Sequence, residues 1–315
     1  MQKGVLVGVD VGGTKVAAGV VDAAGKILSS GRVRMVPNAS AQEGLDAVFD
    51  AISAAIASAA EPVKGIGICA PGPLDPQTGI ILNPPNLPCW RNFPLAELVA
   101  RRHPVPVRVD NDANAAALAE ARWGAARGAK IVFYATIGTG IGTGIVIDGS
   151  IYHGRTGAAG EGGHVSIDYR GPVCACGKPG CIEILASGTA ITGRARERIR
   201  AGRDSLMLEL SGAEPDRLTG ETIAKAYAAG DRLAGELLSE ATDMLALWLG
   251  NIVDLLDPDV IVIGGGAAAL YRGFFDQLHE RITKVTVNPR ASEVPVLSAY
   301  YGADSGIAGG AALCA

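Results

Sequence analysis

An α/β chain of two related domains is predicted by three observations. Apolar, β-branched runs alternate with segments of helical periodicity. The 315 residues exceed what a single core ordinarily supports. One pattern also occurs twice, as Val9-Asp-Val-Gly-Gly-Thr-Lys-Val-Ala-Ala-Gly-Val-Val-Asp22 and as Ala135-Thr-Ile-Gly-Thr-Gly-Ile-Gly-Thr-Gly-Ile-Val-Ile-Asp148. Each copy reads strand, Gly/Thr turn, strand, Asp, turn, an internal repeat at about half-chain distance that implies duplicated β-sheet domains.

Taken in order, residues 4–10 are a strand that ends in Asp10. The turn at 11–15, a second strand at 16–21 and a third at 27–34 complete an antiparallel meander. The turn glycines leave backbone N–H groups able to approach an anion, Thr14 adds a hydroxyl, and Asp10 puts a carboxylate where Mg²⁺ could bind through water. An ordinary Gly hairpin would look the same taken alone. Residues 41–60 have helical spacing and stop before Pro62. A buried strand at 65–69 leads into the sharp turn Ala70-Pro-Gly-Pro73. With three prolines, residues 83–90 can be neither helix nor central strand, so they read as a fixed loop whose two amides and Trp90 suit a polyol. A strand at 105–109 precedes Asp110-Asn-Asp-Ala-Asn114 and an Ala-rich helix at 115–124. Acidic and amide residues at a strand's carboxyl end sit where open α/β sheets bind ligands, although one or two could be helix caps.

The second copy starts with a strand at 131–137. Its turn, Gly138 to Gly144, leads into a strand at 145–148 and not a helix, so it is neither a Walker A loop nor a dinucleotide fingerprint. Two such hairpins facing each other could hold one polyphosphate. Helices are expected at 187–201, 219–228 and 230–257, then a buried strand at 258–263, Gly264-Gly-Gly266, a helix at 268–283, a strand near 294–299 and a small-residue helix at 304–313.

Residues 161–183 hold His164, Cys174, Cys176 and Cys181. This donor set suits tetrahedral Zn²⁺ and, being closed, suits a structural role. Disulfide-linked or buried thiols are the alternative. Gly177, Pro179 and Gly180 supply the turns.

Composition excludes several classes. Hydrophobic residues make up 48% and charged residues 19%, which is unlike a disordered chain. The formal net charge is −4 with no basic run, so neither nucleic acid nor an anionic membrane is an expected partner. No apolar run reaches the roughly 18–20 residues of a span, and the N-terminus turns polar and Gly-rich too soon for a secretory leader. Cys69, Cys89 and Cys314 are scattered, as reduced thiols are, so a cytoplasmic location is expected.

These residues resemble the ROK family of sugar kinases and repressors, within the actin-like ATPase superfamily. The matching signatures are Asp10-Val-Gly-Gly-Thr-Lys15, Ala70-Pro-Gly-Pro73, Asn111-Asp-Ala-Asn114, Gly138-Thr-Gly-Ile-Gly142, Glu161-x-Gly-His164, Cys174-x-Cys-Gly-x-x-Gly-Cys-x-Glu183 and Gly264-Gly-Gly266. They cover almost the whole chain in family order, and the Glu-x-Gly-His and cysteine motifs are the specific ones.

The resemblance implies a two-domain, ribonuclease H-like fold with an interdomain active-site cleft. The smaller domain would comprise 1–112 and 301–315, and the larger 113–300. It implies ATP-dependent phosphorylation of a hexose at O6, glucose first, with Mg²⁺ and structural Zn²⁺. Asp112 looks like the general base. Gly72, Asn86, Asn111, Glu161, His164 and Glu183 look like the sugar pocket, His164 binding metal through one nitrogen and sugar through the other. Asp10, Gly12, Gly13, Thr14 and Lys15, with Thr136, Gly138, Thr139 and Gly140, look like the ATP phosphate hairpins. Gly265 and Gly266 would pack near the adenosine.

Kinases for N-acetylmannosamine, N-acetylglucosamine, allose or fructose are the alternatives within the family. A non-catalytic sugar-responsive regulator is the alternative outside catalysis; the family's repressors carry an added N-terminal DNA-binding domain, for which the first ten residues leave no room. A homodimer or homotetramer is expected. Two positions depart from the family: Cys89 stands where Gly often precedes the Trp, and Gly162 where a larger apolar residue often stands.

Overall fold

The computed structural model describes residues 4–36 and 40–315; residues 1–3, part of the stretch read against a leader, lie outside it. Strands β1 (Val5–Val11), β2 (Lys15–Val21) and β3 (Ile27–Arg34) form the expected meander. Helix α1 (Ala41–Ala57) starts from a capping box, with Ser40 and Glu43 each bonding the other's backbone N–H. Then come β4 (Val63–Ala70), a small hairpin of β5 (Leu74–Asp75) and β6 (Ile80–Ile81), α2 (Leu95–Arg102), β7 (Val107–Asn111) and α3 (Asp112–Arg122). The second copy supplies β8 (Ile131–Ile137), β9 (Ile141–Ile147) and β10 (Ser150–Ile151). Helices α4 (Ile182–Ala186), α5 (Gly188–Arg200), α6 (Leu206–Leu210), α7 (Gly220–Ala228) and α8 (Arg232–Leu256) follow. The chain closes with β11 (Val260–Gly264), α9 (Ala268–Tyr271), α10 (Phe275–Ile282), β12 (Val296–Ser298) and α11 (Ser305–Ala312).

The duplication is visible in the strand order. One five-stranded sheet runs β3-β2-β1-β4-β7 and the other β10-β9-β8-β11-β12. In the first, β1 is antiparallel to β2 and parallel to β4, which is parallel to β7. In the second, β11 is parallel to both β8 and β12, and β10 is antiparallel to β9.

The chain divides into two compact units, one of residues 1–130, 144–160 and 300–315, the other of 131–143 and 161–299. The expected boundary at 112/113 therefore moves. Helix α3 belongs to the first unit because its alanine face packs on α11, where a Cβ on Gly309 would lie 2.8 Å from the Ala115 backbone. On one face of the first sheet, Val7 and Val9 pack with Val48 and Ile52 of α1 and Val99 of α2. On the other face, Leu6, Ala17 and Val21 pack with Ile307 and Ala311 of α11. That contact is flush because Gly8 and Gly67 have no side chains; a Cβ on either would overlap the carbonyl of Ile307 or Gly310. The second unit is built around α8, whose buried Trp248 meets Phe133 of β8 edge-on at 5.7 Å.

Three further expectations need correction. The helix expected at 268–283 is α9, a 3-10 turn at Arg272–Phe274 and α10, with Gly273 at the break. Helix α3 starts three residues before 115 because Asn111 is its cap. Trp90 is no polyol surface. It is fully buried, stacks on Phe93 at 4.9 Å and donates its indole N–H to Ala41 O. Among the described residues, no helix is long and apolar enough to cross a membrane.

Candidate active site

In the first unit, Asp10 is the penultimate residue of β1 and the turn after the strand is pinned by Gly12 N–H bonded to Lys15 O at 2.9 Å. Asp10 packs against the start of α11, where a Cβ on Gly306 would overlap its carboxyl group. Burial raises its pKa, with Lys15 and Arg32 pulling the other way. The loop bearing Asn86 reaches this turn, since a Cβ on Gly13 would lie 3.0 Å from Asn86 O. Thr14 and Lys15 are exposed.

At the carboxyl end of β7, Asn111 accepts the Ala113 N–H at 2.9 Å as the cap of α3, and Asp112 is the first helical residue. Asp112 Oδ1 shares that N–H at 2.8 Å. The other side of the Asn111 amide faces Gly72, where a Cβ would lie 3.4 Å from Nδ2. Asp10, Asp112 and Asp110 are all close enough to the buried Cys69 thiol to add to the rise that burial imposes on its pKa. The structure thus brings Asp10, Asn111, Asp112 and Gly72 to one end of one sheet.

In the second unit, Gly138 N–H bonds Gly140 O at 2.9 Å and Gly188 N–H bonds Gly138 O at 2.8 Å, which joins the hairpin to the start of α5. Glu183 is tied to the same hairpin, its Oε2 accepting the Ile141 N–H at 3.0 Å. Gly140 must lack a Cβ to admit that carboxylate. Glu183 Oε1 lies 4.0 Å from His164 Nδ1. Thr136 sits under Gly265, whose φ of +91° and 2.5 Å virtual Cβ distance to Ile137 O both demand glycine. Gly266 and Thr139 line a cavity of about 620 Å³ together with Gly188, Arg196, Gly220 and Leu270. That volume suits a nucleoside-sized ligand. Its Gly188 and Gly220 are the first residues of α5 and α7. The sequence reading missed Arg196 and the 218–221 turn; the Ser187 and Thr219 caps were the available signal.

Glu161 is exposed and opens a 3-10 turn that carries His164. The ligand atoms of His164, Cys174, Cys176 and Cys181 all lie within 4.8 Å of one another. A zinc–sulfur bond near 2.3 Å implies tetrahedral edges of about 3.8 Å. Cys176 Sγ is 3.5 Å from Cys181 Sγ, and Cys174 Sγ is 3.6 Å from His164 Nδ1. The donors therefore fit such a site, and all three thiols are free. Burial pushes the Cys181 thiol up to about 12, while a backbone hydrogen bond with Lys178 lowers that of Cys176. Gly177 and Gly180 have φ of +89° and +63°, and a Cβ on Gly180 would overlap Asp168 O. Gly162 has its own explanation. Its N–H donates to Thr143 Oγ1 at 2.8 Å, and a Cβ would lie 2.7 Å from that oxygen. Thr143 fills the space that a larger residue would need.

Two sheets of one strand order, each with a Gly hairpin at its centre, define the actin-like ATPase class of α/β fold. Residues 6–315 match the ROK family. Over 315 aligned residues the chain is 34% identical to a glucokinase of Thermotoga maritima, which covers 99% of this chain and 98% of that protein. An N-acetylmannosamine kinase of Escherichia coli O157:H7 is 32% identical, over 97% of this chain and 96% of its own. Among solved structures, a ROK family glucokinase from Streptomyces griseus, in complex with glucose and AMPPNP, is similar with a TM-score of 0.80 at 35% identity, over 98% of this chain and 99% of that one. The chain belongs to the ROK family.

Proposed function

We propose that this protein transfers the γ-phosphoryl group of ATP to O6 of a hexose, glucose first. The observation that carries the reading is Asp112, held at the carboxyl end of β7 beside Asn111 and Gly72. Phosphoryl transfer asks little covalent chemistry of the protein. It needs an oriented nucleophile, a base and charge stabilisation. Asp112 takes the proton from the sugar hydroxyl, an effect worth on the order of 10²–10⁴-fold. Asn111 presents its amide to the sugar while its oxygen caps α3. Glu161, His164 and Glu183 are the sugar-hydroxyl ligands of the second unit, and Gly72 and Asn86 are sugar-site residues of the first.

In each unit the hairpin, at Gly12–Thr14 or at Gly138–Gly140, offers phosphate the backbone N–H groups that do not close its own turn, with Lys15 beside the first and Thr136 and Thr139 beside the second. Gly266, which lines the cavity of about 620 Å³, and Gly265 before it border the adenosine. Asp10 would hold Mg²⁺ through water. When bound, that ion supplies charge neutralisation across the phosphates. Zinc would be held by His164, Cys174, Cys176 and Cys181 and would supply a crosslink that fixes the loop carrying Glu161 and Glu183. The glucokinase relatives support glucose. The N-acetylmannosamine kinase relative supports the second reading, an N-acetylhexosamine substrate.

The test is sugar-dependent ADP release with glucose, mannose, N-acetylglucosamine, N-acetylmannosamine, allose and fructose. Glucose should give the highest kcat/KM. A response to none of them would overturn the kinase reading, and a clear preference for an N-acetylated sugar would replace glucose.

A further inference from the structure

We propose that His153 is a positioning residue for phosphoryl transfer, holding the Asn111–Asp112 turn in place through Asp110. The proposal rests on Asp112 being the base. His153 lies outside every motif read from the sequence. All the residues involved belong to one compact unit.

Asp110 sits in β7 and is only 4% exposed. Its Oδ1 accepts the Asn111 N–H at 2.7 Å and the Asn114 Nδ2 at 3.1 Å. Its Oδ2 accepts from His153 Nε2 at 2.6 Å, across 43 residues of sequence. Three donors thus converge on one buried carboxylate, and two of them come from the residues on either side of Asp112–Ala113. The backbone on either side of the imidazole is tied down. Tyr152 N–H bonds Ile145 O at 2.8 Å, and Ala159 N–H bonds His153 O at 3.1 Å. The hydrogen bond that His153 donates to Asp110 raises the His153 pKa, with partial burial opposing it.

Without the His153 donor, Oδ2 would lose its hydrogen bond while Oδ1 kept both of its own. One side of it opens on a cavity of about 550 Å³ that Arg108, Arg122 and His153 also line. Rotation toward either arginine would pull on both Oδ1 bonds and move the base turn with them. The charged side chains that share His153's surroundings are Arg108, Arg122, Arg155 and Asp75.

The test compares His153→Met, of similar length with no donor, with His153→Gln, which keeps a donor at the same reach. His153→Met should lower kcat about 10–100-fold, because displacements of about 1 Å near reacting groups cost on that order. KM for sugar and for ATP should stay within about threefold, and His153→Gln should recover kcat to within about threefold of wild type. Adding His153→Met to Asp110→Ala should cost little more than Asp110→Ala alone. Wild-type kcat in His153→Met, a loss confined to KM, or an equal loss in both variants would overturn the proposal. Asp112→Asn is measured alongside. If that variant keeps wild-type turnover, the base assignment fails and the proposal falls with it; if Asp112→Asn is inactive and His153→Met is not, the positioning role alone is wrong.

Discussion

At the scale of single residues, five positions from Asp110 to Asn114 divide their work by hydrogen bond. Asp110 is the strut, Asn111 the cap and Asp112 the first helical residue. Asp112→Asn keeps the shape and removes the basicity. Its kcat should fall about 10²–10⁴-fold with the melting temperature nearly unchanged, as read by steady-state kinetics beside a thermal melt. His153 gives a pH signature. Its folded pKa is raised above the ordinary 6.5, so the stability it contributes is fully present below that value and is lost as pH rises through the raised one. The stability difference between wild type and His153→Gln should therefore shrink as pH rises above 6.5 in urea titrations. A difference that grows with pH would contradict the pairing.

At the scale of elements, the loop from Glu161 to Glu183 depends on its cysteines more than on apolar burial. Cys176 and Val173 are exposed, and the backbone closes through Ile167 N–H to Gly180 O and Ile182 N–H to Val165 O. Purified protein should contain one zinc per chain by elemental analysis, and Cys181→Ser should abolish that content and lower the melting temperature. Full stability in a metal-free Cys181→Ser variant would remove the crosslink reading. Helix α11 makes the opposite case, an element held by the absence of side chains. Gly67→Ala should cost at least about 1–3 kcal/mol, since the added methyl meets the Gly310 carbonyl and backbone must move. Denaturant unfolding followed by circular dichroism reads that loss.

At the scale of the molecule, each compact unit has its own sheet and its own buried residues, Val48 and Ile52 in one and Trp248 and Phe133 in the other. Two cores in one chain need not unfold together. Scanning calorimetry should give a calorimetric enthalpy larger than the van't Hoff enthalpy, and AMPPNP should shift the component that belongs to the unit with the 620 Å³ cavity. A single two-state transition would count against independent cores.

Much of the fold was legible because its determinants are local. Alternating apolar runs and Gly/Thr turns recur 126 residues apart, at Val9 and Ala135, and that repetition alone implied duplicated sheets. The candidate metal donors were legible because all four lie within 18 residues, joined by glycines whose positive φ the structure bears out. Other features required the chain to be folded. Trp90 looked like a ligand surface and is core, because stacking on Phe93 and a bond to Ala41 outweigh its place in a proline-rich loop. The reason for Gly162 lay in Thr143, and the partner of Asp110 in His153, 43 residues away. Sequence alone determined the periodicity, the turns and the short-range donor sets, because each is set by backbone geometry within a few residues. The tertiary structure decided which distant side chain fills a glycine's space and which donor meets a buried carboxylate, because those contacts exist only once separate strands are brought together.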